Sequence, residues 1–406
     1  MKAKLLVVTS TFPRWKNDTD PPFVYELSKR LISEFDVIVH TPHYCGSLSR
    51  EMMDGMRIHR FRYFFSYFEI LAGGQGIVPK LRRNKLYYLL LPFFLSAQLF
   101  SLILLVAVVK PDIIHAHWLI PQGLLAALVK KIFGIPVVVT AHGADIFSLR
   151  QKIFTYLKKY TVHNADRIVT VSKSLARILV NDTQAIVDPD VISMGVDATL
   201  FSPHHRNNAI REKYDINGPF LIFVGRLTEK KGVQYLIDAM VIVKAEIPDA
   251  KLLIVGHGEL EEKLKNRVVK LGLMDIILFT GGISNNSLPE YYASADIFIG
   301  PSINTSDGDS EGFGLTFVEA AMSGCILIGS KVGGIEEIIH DGGTGFLVPP
   351  KNVPALAKMI VYVLKNINKF NELKRNGRER ALHKFEWNGI TRKYNKLMKA
   401  VMSLRC

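Results

Sequence analysis

Glu311 and Glu319 stand eight positions apart in EGFGLTFVEAAMSG, with Gly312 and Gly314 close behind the first carboxylate. The glycines let a ligand approach the backbone amides of the helical turn expected from Phe313 onward, and free amides at a helix start attract anions. Carboxylates accept hydrogen bonds from hydroxyl groups. Two of them flanking an amide nest suit a sugar nucleotide, each acid gripping one sugar while the nest holds phosphate. The plain alternative makes Glu311 a helix cap and Glu319 a surface residue.

A second cluster lies in FLIFVGRLTEKKGVQYLIDAM. A strand ends at Val224, a short loop carries Arg226, Lys230 and Lys231, and Val233, Leu236, Ile237 and Met240 share one face of the next helix. Cations at a helix N-terminus oppose the helix dipole, a cost that a bound anion removes. A pyrophosphate would meet free amides, the dipole and two cations together. Lys230 reads as a solvated turn residue, whereas Arg226 with Lys231 and Gly232 reads as an anion site.

The elements that must hold these groups recur along the whole chain. KLLVVTS, FDVIVHTP, DIIHAHW, IPVVVTAHG and DRIVTVS, then FLIFVGRL, KLLIVGHG, DIILFTG, DIFIGPS, CILIGS and TGFLVPP are short β-branched runs separated by helical patterns. Such alternation implies parallel sheets covered on both faces. It pauses once, at ISMGVDATLFSPHHRNN, residues 192 to 208, where a domain boundary is expected. The fold class is therefore α/β, two doubly wound Rossmann-like domains facing across a cleft. Residues 1–203 form the first, 204–385 the second, and residues 386–406 a helix that returns to the first. Ligands of such sheets bind beyond the carboxyl ends of the strands, where both clusters lie.

Composition narrows the partners. Of 406 residues, 48% are hydrophobic and 22% charged, which is globular. The net charge of +14 is uneven: residues 1–205 hold 24 Lys and Arg against 15 Asp and Glu. An anionic substrate or membrane surface fits that excess. No zinc-finger spacing, RNA-recognition signature or basic-aromatic ladder is present, so nucleic acid is not an expected partner. Cys45, Cys325 and Cys406 are too few and too scattered for a disulfide framework or zinc site, which implies a reducing, cytoplasmic setting. MKAKLLVVTSTFPRW has too short an apolar run for a signal peptide and reads as a first strand.

VGRLTEKKG, VGHGEL, EGFGLTFVEAAMSG, VGGIEEII and DGGTGFLVPP, with PDIIHAHW and TAHGAD before them, resemble the family 4 glycosyltransferases, retaining enzymes of the GT-B fold. The resemblance covers nearly the whole chain. It implies that Arg226 and Lys231 hold the diphosphate of a nucleoside diphosphate sugar and that Glu319 holds its ribose. It assigns Glu311, with the amides around Gly312, Phe313 and Gly314, to the donor sugar and phosphate. His142 would stand near the transferred sugar. His142, Glu311, Arg226 and Lys231 are thus the expected catalytic set, with no metal and no further cofactor. The alternative for His142 is a core or strand-end histidine. Asp145 reads as a helix cap, and His115 and His117 as structural residues. The chain departs from the family at STFPRWKNDTDPPF, where a glycine-rich loop is usual, at SGCILIG, where a proline is usual, and in the long loop INTSDGDSEGFG.

The implied reaction moves a sugar to a hydroxyl of a glycan or lipid-linked acceptor, as in polysaccharide biosynthesis. Other classes remain open: a GT-B phosphorylase would need a second phosphate pocket, and a non-catalytic glycan- or nucleotide-binding partner would tolerate loss of Glu311. The Asp-x-Asp pairs Asp18/Asp20, Asp188/Asp190 and Asp307/Asp309 read as turns. Residues 86–109 carry no charge over 24 positions, enough to cross a bilayer. A crossing would separate the first strand from DIIHAHW, so a core or interfacial helix is expected instead. Arg82, Arg83 and Lys85 precede it, and docking on an anionic membrane, at the inner face of the plasma membrane, is the interfacial form of this reading.

Overall fold

The computed structural model describes residues 2–15, 18, 22–73, 77, 80–81, 84–147, 151–185, 188–306 and 308–403. The chain divides into two compact units, residues 1–194 with 390–406, and residues 195–389. The first division falls inside the polar stretch 192–208. The second falls within the last helix, Trp387–Ser403.

The first unit is built on eight strands: β1 (Ala3–Val8), β2 (Phe35–Pro42), β3 (Arg50–Met53), β4 (Met56–Phe61), β5 (Ile113–His117), β6 (Val137–Ala141), β7 (Arg167–Thr170) and β8 (Asp190–Val191). Their order is β3-β4-β2-β1-β5-β6-β7-β8. All neighbours are parallel except β3 and β4. Every residue of β5 and β6 is buried, as expected of strands covered on both faces. The antiparallel pair corrects the expectation of purely parallel sheets. EMMDGMRIHRF carries its own hairpin signal, Asp54-Gly55 between two short runs, and two strands joined by so tight a turn can only run antiparallel. β8 is a second correction, because Asp190 lies in this strand and not in a turn.

The second unit holds β9 (Phe220–Val224), β10 (Lys251–Val255), β11 (Ile277–Gly281), β12 (Ile297–Gly300), β13 (Ile326–Ser330) and β14 (Phe346–Val348). They are parallel throughout, in the order β11-β10-β9-β12-β13-β14. The winding reverses between β9 and β12, and in sheets of this kind the ligand crevice lies at the carboxyl ends of such a pair. The core beneath is apolar: Leu236, Ile237 and Met240 of the helix Val233–Glu246 are fully buried in one cluster with Leu221 and Phe223 of β9.

The helix Leu91–Val109 joins β4 to β5 within the first sheet. A bilayer crossing is incompatible with that connection. The last helix also returns to the first unit, where Tyr394 is fully buried with its ring 5.5 Å from that of His115.

Candidate functional site

The two clusters singled out in the sequence meet at the crevice of the second unit. The loop after β9 passes through a short 3-10 turn, Glu229–Lys231, before the helix Val233–Glu246. Gly232 between them has φ 64°, and a Cβ there would lie 2.0 Å from the Pro301 carbonyl, so only glycine lets this loop lie against the one after β12. Lys231 Nζ donates to Glu311 Oε2 at 2.5 Å, and Lys230 Nζ to Asp309 Oδ1 at 3.1 Å. Two cations from one strand end thus face two acids from its neighbour. Lys230 is not the solvated turn residue expected, because its partner lies 79 residues away in sequence. Arg226 stands exposed in the same loop.

Glu311 is mostly buried, its side chain 12% exposed. Burial pushes its carboxyl up, but Lys231 and Lys230, with hydrogen bonds from Lys231 and Ser302, outweigh that effect and hold it below the usual range. It is ionised at neutral pH and serves as the counter-ion of Lys231.

The glutamate helix is Leu315–Met322, not the longer helix expected from Phe313. Gly314, at φ 101°, has a left-handed backbone that ends any continuation toward Phe313. Its N-cap is Gly314, which has no side chain to bond the first amides, and the positive end of the helix dipole lies at this strand end. Phe313 is an anchor: it is buried, with its ring 5.3 Å from that of Phe385.

Glu319 accepts a hydrogen bond from the Tyr292 hydroxyl at 3.0 Å. Burial raises its carboxyl to about 7, against the opposing effects of Tyr292 and Lys231. Tyr292 is fully buried, and its carbonyl accepts from Cys325 Sγ at 3.0 Å. Sequence reasoning missed Tyr292. PEYYASADI shows an ordinary helix there, and only the packing of the helix Leu288–Ser294 reveals which tyrosine reaches Glu319.

His142 belongs to the first unit, just after β6. Its Nε2 lies 2.9 Å from His117 Nδ1, and the two rings stack at 20°. His115 Nε2 in turn lies 2.8 Å from Thr140 Oγ1. Asp145 is more than a helix cap, because its carboxylate accepts from the amides of Leu119, His142 and Gly143 and so locks the loop that carries His142. Burial pushes His115 and His142 down to about 3, His115 adding to the effect on His142, and burial drives His117 well down too. All three rings are neutral at pH 7, so His142 offers a hydrogen-bonding imidazole and not a cation.

These histidines make the first unit acid-sensitive. His40 is also fully buried and pushed down by burial to about 3. Below pH 6.5 the unfolded chain takes up protons that the folded rings refuse, so stability falls as pH falls from 6.5 toward 3. The slope is about 1.4 kcal/mol per pH unit for each such histidine. Melting followed between pH 7.5 and 5 is expected to show a steep loss that His115→Gln makes shallower. A flat profile, or an unchanged slope in the variant, would contradict the burial argument.

The model described as Glycosyltransferase Family 4 matches residues 22–200, and that described as Glycosyl transferases group 1 matches residues 206–380. An uncharacterized glycosyltransferase of Methanocaldococcus jannaschii is 32% identical over 291 residues, 70% of this chain and 76% of that protein. The chain belongs to glycosyltransferase family 4. The GDP-mannose-dependent alpha-(1-6)-phosphatidylinositol monomannoside mannosyltransferase of Mycolicibacterium smegmatis is 28% identical to this glycosyltransferase over 271 residues, 66% of the chain and 71% of the relative. Among solved structures, Anabaena HepE in complex with UDP-glucose superposes with a TM-score of 0.75 at 18% identity, over 98% of this chain and 99% of the other. The fold of the glycosyltransferase is thus GT-B.

Proposed function

We propose that this glycosyltransferase moves a hexose from a nucleoside diphosphate sugar to a hydroxyl of a glycan or lipid-linked acceptor, with retention of configuration and without a metal. The observation that carries the reading is the crevice at β9 and β12, where Lys231 faces Glu311 beside a glycine-capped helix start and Glu319 stands about one turn further along. The M. smegmatis relative is named for a GDP-mannose donor, and the Anabaena structure holds UDP-glucose. Both names fit a nucleoside diphosphate sugar here.

In this reading the helix amides, Lys231 and Arg226 take the diphosphate, and Glu319 takes the ribose hydroxyls. Lys231 can turn to the phosphate only by releasing Glu311. The freed carboxylate then accepts a hydroxyl of the donor sugar. Departure of the nucleoside diphosphate concentrates charge on the β-phosphate, where the two cations stabilise it. Attack from the face that the leaving group vacates accounts for retention, with the departing phosphate accepting the acceptor's proton. His142 of the first unit enters this reading through the family resemblance alone, as a neutral, hydrogen-bonding imidazole.

The purified chain is expected to release nucleoside diphosphate from one member of a panel of nucleotide sugars, with or without EDTA. Nuclear magnetic resonance of the product is expected to show the donor's anomeric configuration. Turnover that requires inorganic phosphate and yields sugar phosphate would replace the reading with a phosphorylase. Nucleotide binding without turnover on any donor and acceptor would make the chain a binding partner.

A further inference from the structure

The helix Leu91–Val109 and the 3-10 turn Lys85–Leu90 before it are apolar all round but covered on one side only. Phe94, Gln98, Leu102 and Val106 form the buried stripe. On other faces, Leu86, Leu89, Phe93, Phe100, Leu104 and Val108 are open, Phe100 and Leu104 at 67% and Val108 at 81% exposure. A helix side that faces water ordinarily carries charge, and this segment has none between Leu86 and Val109. At about 200 Å² per large side chain, these six residues expose on the order of 800 Å², above the few hundred usual for a soluble monomer. The exposed turn Ser66–Phe68 extends the patch through Phe64, whose ring lies 5.2 Å from that of Phe93 and 6.0 Å from that of Phe68.

Charge identifies the occupant. From Gly55 to Pro111 the sequence has one acid, Glu69. That residue is buried, its Oε2 2.5 Å from His43 Nδ1. Lys85 and Lys110 are exposed at the two ends of the segment, and Arg62 is exposed beside the aromatic turn. A second copy of the chain docked on this face would bring Lys85, Lys110 and Arg62 against the same cations, with exposed Asp112 beside Lys110 too little to balance them. An anionic bilayer supplies both the apolar interior and the negative headgroups.

We propose that this face lies in the surface of an anionic membrane, with the helix parallel to the plane and the stripe from Leu86 to Val108 among the upper acyl chains. The cations at its ends meet the headgroups. The inference is independent of the donor chemistry, since its readout is vesicle binding.

Wild-type chain is expected to co-sediment at low salt with phosphatidylcholine vesicles that contain phosphatidylglycerol, and much less with phosphatidylcholine alone. Joint replacement Phe100→Ser, Leu104→Ser and Val108→Ser is expected to weaken binding at least about tenfold, with circular dichroism and melting unchanged because the three side chains are exposed. Lys85→Ser gives a smaller loss that disappears at high salt. Wild-type protein that stays in the supernatant at low salt overturns the proposal. So does a dimer in sedimentation equilibrium that the triple variant dissociates, which would make the face a protein interface.

Discussion

Glu311→Gln is expected to slow sugar transfer by about a hundredfold to a thousandfold while tightening binding of the free nucleoside diphosphate. The two effects separate because Glu311 holds Lys231 at 2.5 Å when no phosphate is present. Glutamine keeps the shape but removes the competing charge, so the diphosphate no longer displaces an ion pair. A partly screened pair is worth on the order of 1 kcal/mol, which sets the gain at up to about fivefold. Turnover falls because the donor sugar acquires positive character only during transfer, and a neutral amide cannot stabilise it. Glu319→Ala is expected to behave differently, weakening donor binding with little change in turnover, since ribose is held equally in both states. Its carboxyl, raised to about 7, must ionise to accept the ribose hydroxyls well, so donor affinity rises as pH passes through about 7 and levels above it. Calorimetric titration with the nucleotide and steady-state kinetics check both. Weaker nucleotide binding by Glu311→Gln, or equal small effects of the two variants, would return the glutamates to structural roles.

Removing the charge of Lys231 or Arg226 is expected to cost a comparable hundredfold to thousandfold, roughly 2.7 to 4 kcal/mol of transition-state stabilisation. Lys231→Met also strands Glu311, whose side chain is 12% exposed and then lacks its nearest cation. Its carboxyl must rise, and a pH-rate profile is expected to show the acid limb moving upward. Arg226→Lys is expected to recover part of the loss, because an ammonium cannot reproduce a bidentate grip on phosphate. Activity in EDTA is expected to match that without it. Activity abolished by EDTA and restored by manganese, with Arg226→Ala unaffected, would direct attention to the Asp-x-Asp pairs. Of these, Asp309 is held by Lys230. Asp20 and Asp307 lie outside the described residues, as do Arg82 and Arg83 of the basic run before the apolar helix.

The alternation of β-branched runs with helical patterns was legible because it is a local property, readable within a window of ten to twenty residues. The eleven expected strands are all present, and the three missed ones are short or amphipathic, β3 and β4 in a hairpin and β8 of two residues. The helix start at Leu315 was misplaced by two residues, since the apolar spacing of Phe313 fits either state and only the backbone at Gly314 decides.

The sequence by itself determined the chemistry at the strand ends. Arg226, Lys230 and Lys231 after one strand and Glu311 with its glycines after another are read from type and spacing alone. Tertiary structure decided which of them meet. Lys231 and Glu311 are 80 residues apart, and their pairing depends on β12 lying beside β9, an order that sequence distance does not encode. Burial also set the state of each group: the same carboxyl is held low in Glu311 by two lysines and raised in Glu319 by burial, against the hydrogen bond from Tyr292. The apolar helix shows the same division, for composition cannot tell a core helix from one open on a side. Only packing leaves Phe100, Leu104 and Val108 uncovered, because the sheet can bury one face of a helix and none of the other described residues of the first unit covers the opposite face.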